Sequence, residues 1–331
     1  MNPTEGAPRP FVPPPYPYDR LAELHQLAAD LPGGAVDLSI GTPCDPPPAR
    51  VLSALAGSDT ERGYPPSVGT PELRGAVQGW FERRFGVAVP TTDIAACVGT
   101  KEFVAGLPHW LRLRDPGRDT VLYPAVSYPS YAMGATLAGC RAVPVALDDH
   151  RRLDLASVAP GDAERALCLW VNTPGNPAGG LDDLAAVAQW GRLNGVPVFS
   201  DECYVEFTWA GSPSVPGGLP GQTILSRDNH GVVAVHSLSK RSNLAGLRVG
   251  FYAGDPELVG YLSEVRKHAG FMVPGPAQVA AVARWVRSTR SKVSGAVPRT
   301  PACDARRAGW ARNRGVVARW WVLPVGRGAR W

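Results

Sequence analysis

No two of the six cysteines, Cys44, Cys97, Cys140, Cys168, Cys203 and Cys303, stand at the close spacing of a zinc site or a redox pair. Free thiols in a reducing compartment are therefore expected, with no metal site. No apolar run approaches the length of a membrane-spanning helix, so no membrane partner is expected. The opening "MNPTEGAPRPFVPPPYPYDR" lacks the apolar core of a secretory signal, and a cytoplasmic protein is the expectation. No internal repeat is present.

Acidic residues are nearly missing from one stretch. Residues 287–331 hold 11 Lys and Arg against one acid, Asp304. That leaves 23 Lys and Arg against 28 Asp and Glu in residues 1–286. The formal charge of +5 thus averages a mildly acidic body and a basic tail. An acidic body gives no reason to expect nucleic acid as a partner. Hydrophobic residues at 44% are enough for a sizeable core.

What is present is an alternation of apolar runs and helical patterns. "DRLAELHQLAADL" spaces Leu21, Leu24, Leu27 and Leu31 as one helix face. "AVDLSIGTP" reads as a short strand. "TPELRGAVQGWFERRFG" opens with a helix-start signal and stops at Gly86. From residue 93, "IAACV", "TVLYP", "RAVPVAL", "ALCLWVN", "VPVFSD", "VVAVHS" and "RVGFYAG" read as strands. Helical segments lie between most of them. The pattern predicts an α/β fold, a three-layer, mostly parallel sheet covered on both faces. Boundaries are expected at 1–35 for an N-terminal arm and helix, 36–275 for the large domain, and 276–331 for a truncated small-domain start with a basic tail.

Ligands of such sheets bind at the carboxyl ends of strands, and several polar residues fall where apolar runs stop. Asp201 ends "VPVFSD"; Asn176 follows "ALCLWVNTPG"; Gly99 and Thr100 follow "IAACV" and open a helix; Ser237 and Lys240 follow "VVAVH". Each alone has a bland reading as a cap, a turn or a solvated charge. Their joint occurrence is the signal.

The motifs "SLSKRSNLAGLRVG", "NTPGNPAGG", "SDECYVEF", "VGTKEFV" and "GYPPSVGTPELR" resemble the fold-type I aminotransferases of class I/II, which use pyridoxal 5'-phosphate. The resemblance covers roughly residues 15–285. It implies that Lys240 bonds to the cofactor aldehyde and later shuttles a proton. It implies that Asp201 pairs with the pyridine nitrogen, and that Asn176 and Tyr204 bond the ring hydroxyl. Arg248, Ser237, Thr100 and Lys101 would bind the phosphate, the last two with backbone N–H groups at a helix N-terminus. Tyr128 would stack on the ring. Tyr64 would reach the phosphate of a neighbouring subunit, which implies a homodimer. The backbone at Gly41 would approach the substrate carboxylate, with Asn176 beside it. The small-molecule partners would be an amino acid and a keto acid.

The wording "SIGTPCDPPP", "GTKEFVAGLP" and "YPSYAMGATLAGC" is similar to actinobacterial N-succinyldiaminopimelate aminotransferases, which implies a step of lysine biosynthesis. A carbon–sulfur lyase or an aspartate or aromatic aminotransferase shares the same core and stays open. The resemblance fades after "AAVARWV". The tail is rich in Arg, Ala, Gly, Pro and Trp and has no amphipathic period; it reads as an out-of-frame extension, with a divergent natural tail and a basic RNA-binding or membrane-binding extension as the alternatives. An inactive fragment is therefore a third possibility.

Overall fold

The computed structural model describes residues 10–30, 32, 41, 45–208 and 222–285. The strand expected over 35–43, apart from Gly41, and the basic tail lie outside them. The chain divides into two units, 1–41 and 42–331. In the first, a short 3-10 turn over Pro17–Leu21 leads into helix α1, Ala22–Ala29, which buries none of its residues.

The second unit contains α2 (Ala49–Ala56), α3 (Pro71–Phe85), β1 (Ile94–Cys97), α4 (Thr100–Arg114), β2 (Thr120–Pro124), α5 (Ser130–Leu137) and β3 (Arg141–Val145). It continues with α6 (Pro160–Glu164), β4 (Ala166–Asn172), α7 (Leu184–Leu193), β5 (Val198–Asp201), β6 (Val232–Ser237) and α8 (Leu238–Arg241). It ends with β7 (Gly250–Gly254), α9 (Pro256–His268) and α10 (Gly275–Trp285). The strands form one sheet in the order β1-β7-β6-β5-β4-β2-β3. From β6 to β3 every neighbouring pair is parallel. β7 runs antiparallel to both β6 and β1, so it alone of the seven is reversed.

Apolar helix faces cover both sides. Leu73, Val77, Trp80 and Phe81 of α3, Val187 and Ala188 of α7, and Ala277, Ala280, Ala281 and Trp285 of α10 build one core. Phe103, Val104 and Leu107 of α4, Tyr131 and Ala135 of α5, and Leu258, Val259 and Leu262 of α9 build the other. Alternation along β6 divides its residues between the two: Val232 and Ala234 enter the first, Val233 and Val235 the second.

Local chemistry sets the helix ends. Thr70 Oγ1 accepts from the Leu73 N–H at 3.2 Å, Pro71 takes the first turn of α3, and Gly86 closes it at φ 69°. Asp183 and Asp255 cap α7 and α9 in the same way.

Candidate active site

Strand ends set the place of the site. β4, β5 and β6 stop at Asn172, Asp201 and Ser237 on one edge of the sheet, and β1 stops there at Cys97. Because β7 is reversed, its beginning reaches the same edge, and Arg248 stands two residues before it. The arginine is thus delivered by a strand start and the other groups by strand ends.

Asp201 is buried at 7% exposure. Its Oδ2 accepts from the Tyr131 hydroxyl at 2.7 Å, and its Oδ1 accepts from the Cys203 N–H at 3.1 Å. Each oxygen keeps lone-pair capacity for a further donor. Burial, with Asp201 beside it, holds the Tyr131 phenol well above its usual range, so Tyr131 is a fixed donor and not a competing acid. Asn172 sits one strand away in register with Asp201. Its side-chain amide donates to the Asp201 carbonyl at 2.9 Å, and its Oδ1 accepts the Asn176 N–H at 2.7 Å. Asn176 in turn donates to the Tyr204 hydroxyl at 3.1 Å. Asp201, Asn176 and Tyr204 are therefore tied into one network through Asn172.

Lys240 lies in α8, whose first turn is capped by Ser237 Oγ accepting from the Ser239 N–H at 3.0 Å. Burial holds the Lys240 ammonium below its ordinary value, opposed by the neighbouring Cys203. A lysine so placed supplies neutral amine more readily than one in water.

Arg248 adopts a left-handed φ of 55° and donates to the Ala245 carbonyl at 2.8 Å, with Ser239 Oγ within 3.4 Å. Its guanidinium lies against Gly99, where a Cβ would overlap it. Gly99 also has φ 72°, which suits glycine. Thr100 and Lys101 begin α4 directly after it, so an arginine and a helix N-terminus face the same space. That pairing attracts an anion. Glu102, in the same first turn, is neutralised by Arg266 at 3.0 and 2.5 Å, and its Oε1 holds the Val98 N–H at 2.8 Å.

Tyr128 is half-buried just beyond β2, its ring 6.3 Å from that of Tyr131. Tyr64 is 97% exposed. Gly41 belongs to the first unit. Sequence reasoning missed Tyr131 and Asn172, and it noted Gly99 only as the residue that opens a helix. "YPSY" places Tyr131 three residues beyond Tyr128, and Asn172 ends its apolar run more directly than Asn176 does. A buried Glu202–His236 contact of 3.1 Å, on the opposite sheet face, was also missed.

A mostly parallel α/β sheet with lysine, carboxylate and anion-attracting groups on its carboxyl edge defines a class of cofactor-dependent transferases. The chain belongs to the aminotransferase class I and II family, whose family model matches residues 34–300. The cofactor of that family is pyridoxal 5'-phosphate.

The chain is 41% identical over 273 residues to 4-dedimethylamino-4-oxo-anhydrotetracycline transaminase of Streptomyces rimosus, covering 82% of this chain and 72% of that protein. It is 42% identical over 274 residues to a "probable aminotransferase" of Mycobacterium tuberculosis, covering 82% of this chain and 62% of that protein. The chain thus spans less than two thirds of the second relative. Among solved structures it is similar to a "probable N-succinyldiaminopimelate aminotransferase" of Thermus thermophilus. There the TM-score is 0.72 at 29% identity, over 81% of this chain and 72% of that one.

Proposed function

We propose that the protein transfers an amino group between glutamate and a 2-keto acid with pyridoxal phosphate. The observation that supports this best is the convergence of Lys240, Asp201, the Asn176–Tyr204 pair and Arg248 on one sheet edge.

These residues fit the cofactor. Gly99 makes room for the Arg248 guanidinium against the first turn of α4, and the cradle these groups form suits a phosphate. Thr100 and Lys101 follow Gly99 in the chain, Ser237 pairs with Gly250 two residues beyond Arg248, and all three would add donors to the phosphate. When bound, the cofactor supplies an electron sink for the carbanion at the substrate Cα. Asp201 holds a proton on the pyridine nitrogen, and Tyr131 and the Cys203 N–H keep that carboxylate aimed. The Asn176 amide and the Tyr204 hydroxyl orient the ring hydroxyl, and Tyr128 covers one ring face. The Lys240 amine, whose proton affinity burial lowers, takes and returns the proton at the substrate Cα. Asn176 meets the substrate carboxylate.

The working form is a cytoplasmic homodimer in which Tyr64 reaches the neighbouring subunit's phosphate, and the full exposure of Tyr64 favours this. For the acceptor, the N-succinyldiaminopimelate precursor of lysine biosynthesis is the first reading, supported by the motif wording and by the Thermus relative. A cyclic oxo compound is the second, favoured by the 41% identity to the Streptomyces rimosus transaminase.

The test is a titration of purified protein with pyridoxal phosphate, followed by a panel of amino donors and oxo acceptors. A visible absorbance band that bleaches with glutamate is expected. A band that forms and responds to no donor rejects amino transfer. Lys240→Ala should remove all transfer while the phosphate cradle still retains cofactor; borohydride trapping on a different lysine would overturn the assignment.

A further inference from the structure

Arg241 follows Lys240 directly, yet its side chain is turned into the protein and is 9% exposed. The guanidinium lies 4.2 Å from the Trp80 ring centroid and 5.6 Å from that of Trp285. Its Nη2 stands 3.5 Å from Glu206 Oε1, and the other oxygen of Glu206 is held by Arg84 at 3.1 Å. Burial, with Arg84 and Arg284 close by, pushes the Arg241 guanidinium down to about 10, while Glu206 opposes that fall. An arginine is expensive to bury, and a solvated surface residue next to a lysine needs no such setting.

The neighbours give this burial a purpose. Trp80 belongs to α3 and Trp285 to α10, so the ring contacts join the four-residue α8 to two long helices. α8 is too short to hold its own orientation. Glu206 lies in the segment that follows β5, two residues beyond Tyr204, whose hydroxyl accepts from Asn176. One side chain therefore connects the segment carrying Lys240 to the segment carrying Tyr204, and both to the helical layer beneath.

We infer that Arg241 is a positioning residue, which fixes Lys240 and Tyr204 relative to one another through its contacts with Trp80, Trp285 and Glu206. Planarity matters as much as charge here. A guanidinium stacks on an indole and offers a fork to a carboxylate at the same time, and an ammonium does not. The inference goes beyond the proposed transfer reaction and needs no bound cofactor for its test.

The sequence holds four lysines, Lys101, Lys240, Lys267 and Lys292, so amine reactivity can be assigned site by site. Cofactor-free protein is labelled with limiting acetic anhydride across a pH series, and the acetylation of each lysine is read by mass spectrometry. Loss of the anchor lets α8 move outward and rehydrates Lys240. Arg241→Met should then slow labelling of Lys240 at mildly alkaline pH by about threefold or more, equivalent to a rise of roughly half a pK unit. Lys267, on an exposed face of α9, serves as the internal control. Arg241→Lys should give an intermediate shift, and it decides the question if Arg241→Met does not fold. A purely structural role lowers the melting temperature and leaves the profile of Lys240 on that of the parent protein; that result in a folded variant would overturn the inference.

Discussion

Tyr131 and Gly99 carry the most testable consequences at the scale of single residues. The Tyr131 hydroxyl is fully buried and spends its hydrogen bond on Asp201. Tyr131→Phe keeps the ring among Trp170 and Tyr128 and leaves Asp201 Oδ2 short of one donor. A lost hydrogen bond to a charged group costs about 1.5–3 kcal/mol. Cofactor affinity should fall by about tenfold or more, read by fluorescence titration with pyridoxal phosphate, whereas an unchanged affinity would separate Tyr131 from the site. At Gly99 the cause is space. Alanine there meets the Arg248 guanidinium and must also adopt φ 72°. Gly99→Ala should weaken binding of inorganic phosphate and of the cofactor together. Calorimetry that showed either one unaffected would contradict a shared cradle. Tyr131 was not marked by sequence reasoning, because a tyrosine in a helix is ordinary, and Gly99 was read as a capping turn. Lys240 and Asp201 stood out in the sequence because they follow apolar runs, and Arg248 because it belongs to the family motif that carries Lys240.

At the scale of elements, Asp182 shows how a loop is held. Its Oδ1 accepts the Leu153 N–H at 2.7 Å, and its own N–H donates to Thr173 Oγ1 at 3.0 Å. It thereby fastens the turn at 148–153 to the loop that carries Asn176. Burial pushes the Asp182 carboxyl up to about 6, with Asp148 adding to the rise and the Leu153 N–H and Arg152 opposing it. Raised above its unfolded value, it contributes stability that is complete below about pH 4 and lost as pH rises through about 6. Asp182→Asn keeps an oxygen for Leu153 and removes the titration. Denaturant unfolding at pH 4.5, 5.5 and 6.5 should show the parent losing roughly 1.5–2 kcal/mol relative to the variant over that range. Parallel curves for the two proteins would refute it. The helices themselves were readable: α3 begins at its Thr-Pro and ends at its Gly, as "TPELRGAVQGWFERRFG" indicates. The reversal of β7 was not readable. Its apolar run is as continuous as those of β4 and β6, and direction depends on which neighbours a strand pairs with, a property absent from its own residues.

For the whole molecule, the three layers and the position of the site at one sheet edge followed from the alternation of strands and helices. Substrate choice did not, because one catalytic constellation serves many acceptors. Assembly is a prediction at this scale. Tyr64, exposed at 97%, is expected to complete a neighbouring site, so sedimentation velocity at micromolar concentration should show a dimer that cofactor strengthens. A monomer at all concentrations, with full cofactor affinity, would contradict it.

The antiparallel pairing of β6 and β7 sets Ser237 opposite Gly250. Lys240 and Arg248 both lie in the short excursion between those two positions. Its two ends are riveted side by side, so the excursion is a closed bow whose width is fixed by the ladder. Parallel strands can shear past one another while the two ends of the bow stay clasped. What lies between those ends, Lys240 included, takes its place from contacts such as those of Arg241 with Trp80 and Glu206.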